Sequence, residues 1–498
     1  MRRRAPGKAA LLGLLLVGCM VGPDYKRPEV KVTETFRDQV KPADARSFAD
    51  QPWWEIFQDE ALQALIAEAL ENNYDLHAAV ARVEQARAQA GIARAQVWPA
   101  FGVGAGAGYG RGGFIPGLVA PPAGSSSGAV PQRNAQYNLF VGMQWDLDLW
   151  GKLRRSSEAA VAQFLASEDT QRGVIISLIA DVAQAYVTLR LLDAQLEISR
   201  ETVKNYQKTL ELYTARLEGG TGNKLEVSVG QAQVADAQAT ASDLERQITD
   251  QENQICFLLG RPPGPVPRGK TLTEFSLPPE IPAGLPSSLL ERRPDVRRAE
   301  QDLIAANARI GVAQANFYPQ ITLTGSLGFA STDLGNLFTG KSFLWNIGGF
   351  ASWLAPILQG AQLKSQYDAA WASWLEFLAV YQRSVINALR EVASSLNDVA
   401  QLKPVLEQRT AQVKSLEESV SLSIDRYEGG VASYLEVTTN QNVLFPAQLN
   451  LASVRAQRFV ALITLYRALG GGWQVPPPPD QQAAAAPDGG LPAAAPAK

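Results

Sequence analysis

The sequence predicts a membrane protein of two similar halves, each combining two membrane-type β-strands with very long coiled-coil α-helices. Three observations lead to this fold class. A twelve-residue stretch recurs late in the chain, four short segments alternate between apolar and polar residues, and long proline-poor segments carry apolar residues at helical spacing. Four strands are too few to close a barrel, which usually needs about eight, so several copies must complete it.

The repeat is clearest in two segments. Residues 216–227 read RLEGGTGNKLEV and residues 426–437 read RYEGGVASYLEV, with seven identical letters and no gap. At the same spacing of 210 residues, CFLLG at 256–260 is followed by YRALG at 466–470. A solenoid unit has a period of only about 20–50 residues. The chain is therefore interpreted as a duplicated half-molecule.

The first residues predict a bacterial lipoprotein signal. Residues 1–8 are basic, residues 9–18 are apolar but too short to span a bilayer as a helix, and Cys19 follows in LVGC. Cleavage would leave the Cys19 thiol to carry a covalent lipid, which anchors a protein without a spanning helix. The residue directly after the cysteine is Met20 and not an aspartate, which fits export to the outer membrane. The alternative is an incidental buried cysteine.

Composition disfavours several function classes. Without residues 1–18 the chain has 46 − 4 = 42 basic against 49 acidic residues, a net charge of about −7, which is unfavourable for nucleic acid. His77 is the only histidine, and Cys256 is the only cysteine besides Cys19. These residues cannot build a triad or a metal site, so we expect no enzyme, no metal and no cofactor other than the covalent lipid.

The longest segments predict coiled-coil helices. Residues 152–218 contain no proline and one glycine, and from Leu178 their apolar residues recur at alternating spacings of four and three. The second half repeats this pattern from Val385, where Pro404 should kink the helix. About 65 residues at 1.5 Å per residue give a rod of roughly 100 Å, far longer than a compact domain needs.

Four segments of about ten residues alternate with a period of two and carry aromatic residues near several ends, as transmembrane barrel strands do. A soluble two-sheet sandwich is the alternative. Open sheet edges are not tolerated in lipid, because each unpaired backbone group there costs about several kcal/mol. The chain must therefore assemble with others. The expected strands are residues 100–110, 136–149, 320–330 and 345–355.

These elements give a domain plan for the whole chain. It comprises a signal peptide (1–18), a lipid-anchored N-terminal segment (19–57), a first half (58–260), a linker (261–286), a second half (287–473) and a disordered Pro/Ala-rich tail (474–498).

Several motifs resemble the TolC-type outer membrane factors, in the lipoprotein branch typified by OprM and NodT, which are exit ducts of RND efflux pumps. The motifs are CMVGPDYKRP (19–28), PAGLPSSLLERRPDV (282–296), RYEGGVASYLEV (426–437) and YRALGGGW (466–473). The resemblance implies a homotrimer with a 12-stranded barrel in outer membrane lipid and a long α-helical barrel extending into the periplasm. It also implies a periplasmic adaptor protein and an inner-membrane RND-type pump as partners.

The implied function is passive, gated export of drugs or other small solutes. The alternatives are the exit duct of a type I secretion or metal efflux system, and a lipid-anchored periplasmic coiled-coil scaffold without a pore. Ion conductance in planar bilayers separates a duct from a scaffold.

The repeated segments have both a structural and a functional interpretation. Their Gly–Gly pairs can end a helix, and Ser433 with Glu436 reads as a capping box that starts the next one, with Asn223 and Glu226 as its variant. In the resembling family these segments are periplasmic tips of helical hairpins. The resemblance places an adaptor-docking surface at Gly219, Gly220, Thr221, Gly429, Gly430 and Val431.

The resemblance also places a periplasmic gate at the second tip. Thr439 stands where relatives often have aspartate, so Glu436 would supply the charge instead. Arg426 would pair with the neighbouring hairpin. The implied gate residues are Arg426, Tyr427, Leu435, Glu436 and Thr439.

Overall fold

The computed structural model describes part of the chain. The described residues are 20–30, 56, 58–111, 133–275, 289–352 and 359–471. The predicted signal peptide, Cys19, most of segment 19–57, linker residues 276–286 and the tail 474–498 lie outside these residues.

The described elements follow one another in two similar series. The first half contains α1 (Glu60–Asn72), α2 (Tyr74–Ala95), β1 (Ala100–Arg111), β2 (Arg133–Leu147), α3 (Lys152–Glu218) and α4 (Lys224–Leu258). The second half contains α5 (Leu289–Arg292), α6 (Pro294–Ala315), β3 (Gln320–Ser331), β4 (Phe343–Ser352), α7 (Gly360–Glu428) and α8 (Tyr434–Ala468).

Equivalent elements have nearly equal lengths. Helices α2 and α6 both have 22 residues, α4 and α8 both have 35, and α3 and α7 have 67 and 69. This agreement is what a duplicated half-molecule requires. Pro404 lies inside α7, which continues past it as one helix.

The four predicted strands form one antiparallel sheet in the order β1-β2-β3-β4. Among the described strands, β1 and β4 each keep one edge without a partner. Strand β2 ends at Leu147, two residues before the predicted end. Asp148 leaves the strand because its carboxylate accepts the backbone N–H groups of Leu153 (3.0 Å) and Arg154 (2.9 Å), and so caps the start of α3.

The chain forms two compact units. The first comprises residues 1–30, 81–168 and 298–384, and it contains the sheet. In this unit small side chains let α3 and α6 pack closely, and they form the buried cluster Ala159, Ala162, Ala305 and Ala308.

The second unit comprises residues 31–80, 169–297 and 385–498 and contains the two hairpins α3–α4 and α7–α8. A stretch of α3 is apolar enough to cross a membrane by length and composition, with a mean hydropathy of 1.6, but 56% of it is buried in the protein. This burial indicates that the apolar stretch of α3 belongs to the core of the protein. Its buried partners come from α1, α4, the residue that follows α4, and α8, and they include Leu65, Ile66, Ile255, Leu259 and Leu465.

Candidate functional site

The sheet has one continuous apolar face. One cross-strand row joins Val103, Val141, Leu327 and Trp345, one residue from each strand. All four are exposed, from 40% for Val141 to 77% for Val103. A soluble protein rarely exposes so large an apolar surface, so this face requires an apolar environment. Other members of the face are Phe101, Tyr109, Leu139, Met143, Trp145, Ile321, Leu323, Phe329, Phe343 and Ile347.

The opposite face is made mostly of glycine and polar residues. Its rows include Gly102, Gly142, Ser326 and Asn346, and the Thr322 hydroxyl donates to the Asp146 carboxylate at 2.6 Å. Exceptions are Phe140, Leu344 and Phe350. This alternation, apolar on one side and polar on the other, is that of a barrel wall with lipid outside and water inside.

Phe140 lies flat on the polar face because its two neighbours are glycines. Gly104 and Gly328 stand directly beside it on β1 and β3. A Cβ atom at position 104 would lie 2.6 Å from the Phe140 Cζ atom, and one at position 328 would lie 2.5 Å from the Phe140 Cα atom. A larger residue at position 104 would displace the Phe140 ring, whereas one at position 328 would clash with the backbone of β2 at Leu139 and Phe140.

The segment that follows Cys19 is bound to the end of β2. The Val21 N–H donates to the Trp150 carbonyl oxygen at 3.1 Å. Gly151, at φ +77°, leaves room for Met20, whose Cγ atom would lie 2.5 Å from a Cβ at that position. The buried Arg155 side chain, 2% exposed, binds the Asp24 carboxylate at 2.6 Å. These contacts hold the residue next to Cys19 at the strand end from which α3 begins.

The first tip, residues 219–223, is closed by backbone hydrogen bonds. Gly220 has φ +72°, the left-handed region that glycine adopts without steric cost. Its N–H donates to the Leu217 carbonyl (3.1 Å), and the Thr221 N–H donates to the Arg216 carbonyl (2.9 Å), which is a Schellman ending of α3. The Asn223 side chain then caps α4 by accepting the Leu225 N–H at 2.6 Å.

The second tip, residues 429–433, repeats the turn but not the cap. Gly430, at φ +73°, and Val431 make the same two backbone hydrogen bonds, to Tyr427 and Arg426. Ser433 is the N-cap residue, yet its side chain makes no capping hydrogen bond, so the predicted capping box is wrong. The Glu436 carboxylate binds the Arg426 guanidinium at 3.2 Å instead.

Within one chain, Arg426 binds a carboxylate of its own tip. Its expected pairing with the neighbouring hairpin stays a prediction. The Arg426 and Glu436 side chains are half-exposed, at 55% and 41%, so the pair contributes about 0–1 kcal/mol.

Tyr427 links the two tips. Its hydroxyl donates to the Glu226 carboxylate of the first tip at 3.0 Å, and its ring meets Tyr213 edge-on at 5.5 Å. The Arg216 guanidinium lies 4.5 Å from the centre of the same ring and donates to the Tyr427 carbonyl at 2.9 Å. Tyr427 is only 3% exposed. It therefore faces the other hairpin of its own chain, and Glu226 bonds to it instead of capping α4.

Burial and the Glu226 carboxylate together raise the pKa of Tyr427 to about 12. Burial also raises the pKa of Tyr213, while the nearby Thr438 hydroxyl opposes that shift. Both phenols stay protonated at neutral pH. Tyr427 is then a permanent hydrogen-bond donor to Glu226.

The other predicted tip residues lie on the surface. Val431 is 70% exposed, Leu435 is 61% exposed, and Thr439 is also exposed. The four tip glycines and Thr221 are exposed too. Within the described residues, no group of three or more His, Cys, Asp or Glu residues is arranged to hold a metal ion.

Sequence reasoning missed Arg216 and Tyr213 and gave Glu226 a different role. Arg216 is the repeat equivalent of Arg426, and Glu226 is the equivalent of Glu436. The equivalent pair binds within one tip, whereas Arg216 and Glu226 both reach Tyr427 of the other tip. The repeat differs at the residue after each arginine, Leu217 in the first half and Tyr427 in the second, and that difference is the signal that could have found the asymmetry.

The sequence matches the outer membrane efflux protein family over residues 65–261 and again over residues 285–471. The cation efflux system protein CusC of Escherichia coli O6:H1 is 33% identical over 471 residues, covering 93% of this chain and 98% of CusC. The solvent efflux pump outer membrane protein SrpC of Pseudomonas putida is 35% identical over 468 residues, covering 93% and 97%.

The fold is also that of a solved channel. The open state of the MtrE outer membrane channel of Neisseria gonorrhoeae is similar with a TM-score of 0.81 and 31% identity, covering 92% of this chain and 99% of MtrE. The names of these relatives are those of transport proteins.

Proposed function

Since this chain belongs to the outer membrane efflux protein family and is the outer membrane exit duct of an efflux system, we propose that three copies close one channel and that their hairpin tips gate it. Channels of this family form trimers and work with adaptor proteins and inner-membrane pumps. The finer assignments below concern this chain's own residues.

The two-faced sheet with open edges carries the proposal of a shared channel. Its apolar face suits lipid and its polar face suits water, but the free edges of β1 and β4 would leave unpaired backbone groups in the membrane. Pairing β4 of one copy with β1 of the next removes both edges. Three copies of four strands then give a closed barrel of 12 strands with the glycine-rich face lining the lumen.

The gate is assigned to the second tip, supported by the exposure of its apolar side chains. Leu435 is large, apolar and 61% exposed, so its side chain is free to contact other copies of the chain. Three copies of Leu435 meeting near the axis would narrow the aperture. Glu436 and Arg426 would contribute charge, and Thr439 would lie one turn further along α8.

In this scheme the Tyr427–Glu226 link holds the closed position. Moving the second hairpin away from the first requires this hydrogen bond to break, together with the contacts of Arg216 to Tyr427. The link therefore opposes opening, while Leu435 fills the aperture.

The exposed tip turns are the proposed docking surface for a periplasmic adaptor. Gly219, Gly220, Thr221, Gly429, Gly430 and Val431 present flat backbone and one apolar side chain. The adaptor would connect the duct to an inner-membrane pump of the RND type.

The proposed cargo is small solutes chosen by the pump, because a duct has no energy source of its own. CusC is named for cations and SrpC for solvents, so the names do not favour metal efflux. Beyond residues 1–18, only Met20 and Met143 are methionines, and a methionine-lined copper path has too few ligands.

The lipid anchor is proposed at Cys19, which lies outside the described residues. Support comes from its neighbour Met20, which packs at the end of β2 beside Gly151. A diacylglycerol on Cys19 would then meet the bilayer at the periplasmic end of the barrel, because α3 leaves the sheet there.

The channel is tested by cysteine modification during planar-bilayer recording. Thr324 lies on the polar face of β3, and Leu327 lies on its apolar face. A water-soluble cationic thiol reagent should lower the conductance of Thr324→Cys and leave Leu327→Cys unchanged. Equal responses from both variants would refute a lumen lined by the glycine-rich face.

A further inference from the structure

The connection between β3 and β4, residues 332–342, is folded by its own hydrogen bonds. The Asp333 carboxylate accepts the Gly335 N–H at 3.1 Å and the Asn336 side-chain amide at 2.9 Å. The buried Ser342 hydroxyl donates to the Asn336 carbonyl at 2.7 Å. These bonds fix the backbone of the connection, so its side chains point in set directions.

Two large apolar side chains of this connection point away from its own core. Leu337 is buried at 6%, whereas Leu334 and Phe338 are exposed at 60% and 69%. A connection that faces only water gains nothing from holding two apolar side chains outward on a backbone fixed by hydrogen bonds. Their exposure identifies a surface that is complete only when something apolar covers it.

Phe338 continues the apolar face of the sheet. Its ring meets the Phe329 ring edge-on at 5.6 Å, and Phe329 meets Phe343 in the same way at 5.6 Å. Phe329 pairs in register with Leu139 and with Phe343, which are both members of the apolar face. The connection therefore folds onto the lipid side of the sheet and away from the polar side.

We propose that Leu334 and Phe338 insert among the lipid acyl chains at the outer end of the barrel and anchor it there. The occupant is lipid because the three phenyl rings are continuous with the sheet face that lies in the membrane. The connection joins the strand ends remote from α3 and α7, so the contact is with the outer leaflet. Aromatic residues favour this interfacial depth. The inference rests on the barrel assignment above.

Nitroxide labelling of single cysteines tests the proposal in the full-length protein. The labelled variants are Phe338→Cys, Lys341→Cys in the same connection as the water-exposed control, and Val103→Cys on the apolar face as the lipid-exposed control. Cys256 is fully buried, and the unsubstituted protein measures its background labelling. The variants are reconstituted in vesicles of phosphatidylethanolamine and phosphatidylglycerol.

The readout is the ratio of collisions with oxygen, which concentrates in lipid, to collisions with a water-soluble nickel chelate. We expect a severalfold higher ratio at position 338 than at 341, close to that at 103. A water-like ratio at 338 overturns the proposal, as does a label that neither reagent reaches, which would mean contact with a neighbouring chain. A water-like ratio at 103 as well would instead refute the barrel assignment.

Discussion

Replacing Tyr427 by Phe removes one hydroxyl and leaves everything else at the link between the tips. The ring keeps its edge-on contact with Tyr213 and its position beside the Arg216 guanidinium. The backbone carbonyl that accepts from Arg216 is also unchanged. The lost interaction is the 3.0 Å hydrogen bond to the Glu226 carboxylate.

The structure gives a magnitude for this loss. A hydrogen bond to a charged acceptor contributes about 1.5–3 kcal/mol, and the lower value applies because Glu226 is partly exposed. About 1.4 kcal/mol corresponds to a tenfold change in an equilibrium constant. The equilibrium constant for opening the tip of each chain should therefore rise about tenfold. If the three chains open together and the losses add, the change approaches about a thousandfold.

The assay is leak conductance and open probability of single channels in planar bilayers. Tyr434→Phe is the matched control, because it removes a hydroxyl at the same tip for which no hydrogen bond occurs among the described residues. We expect Tyr427→Phe to raise the open probability and Tyr434→Phe to leave it unchanged. If Tyr427→Phe leaks no more than wild type, the link does not hold the gate closed.

Four further outcomes follow. Leu435→Ala should enlarge the leak without lowering thermal stability, because the side chain is 61% exposed; an unchanged leak places the constriction elsewhere. Glu436→Gln should reduce cation selectivity, read as reversal potential in asymmetric salt, whereas Glu226→Gln should change it less; equal effects would argue against a charge ring of Glu436. Cys19→Ala should abolish labelling with palmitate, and equal labelling of both proteins would contradict lipidation at this residue. Since the pKa of Tyr427 is raised to about 12 from an ordinary value of 10.0, its stabilising hydrogen bond is fully present below pH 10 and is lost as pH rises towards 12. The wild-type leak should therefore stay constant through neutral pH, and a rise near pH 7 would point to another group.

Strands and helices were readable from the sequence because their signals are local. Alternation in residues such as Val103 and Leu327 depends only on the period of a strand, and the four expected strands are confirmed within a few residues at each end. The Gly–Gly tips were readable for the same reason, since a left-handed residue after a helix requires glycine. The cap at Ser433 is absent, since the Glu436 N–H donates to the Ser433 carbonyl at 3.1 Å and the Glu436 carboxylate binds Arg426.

The sequence by itself determined the duplication, the four strands, the long helices and the tip turns, which all follow from spacing along the chain. Only the tertiary structure decided what the tip side chains do. Two equivalent Arg and Glu pairs stand in the two halves, yet Arg216 and Glu226 hold Tyr427, while Arg426 and Glu436 hold each other. The physical reason is that only the second half has a tyrosine, Tyr427, where the first has Leu217, and the packing of the two hairpins brings Arg216 and Glu226 of the first half to that tyrosine.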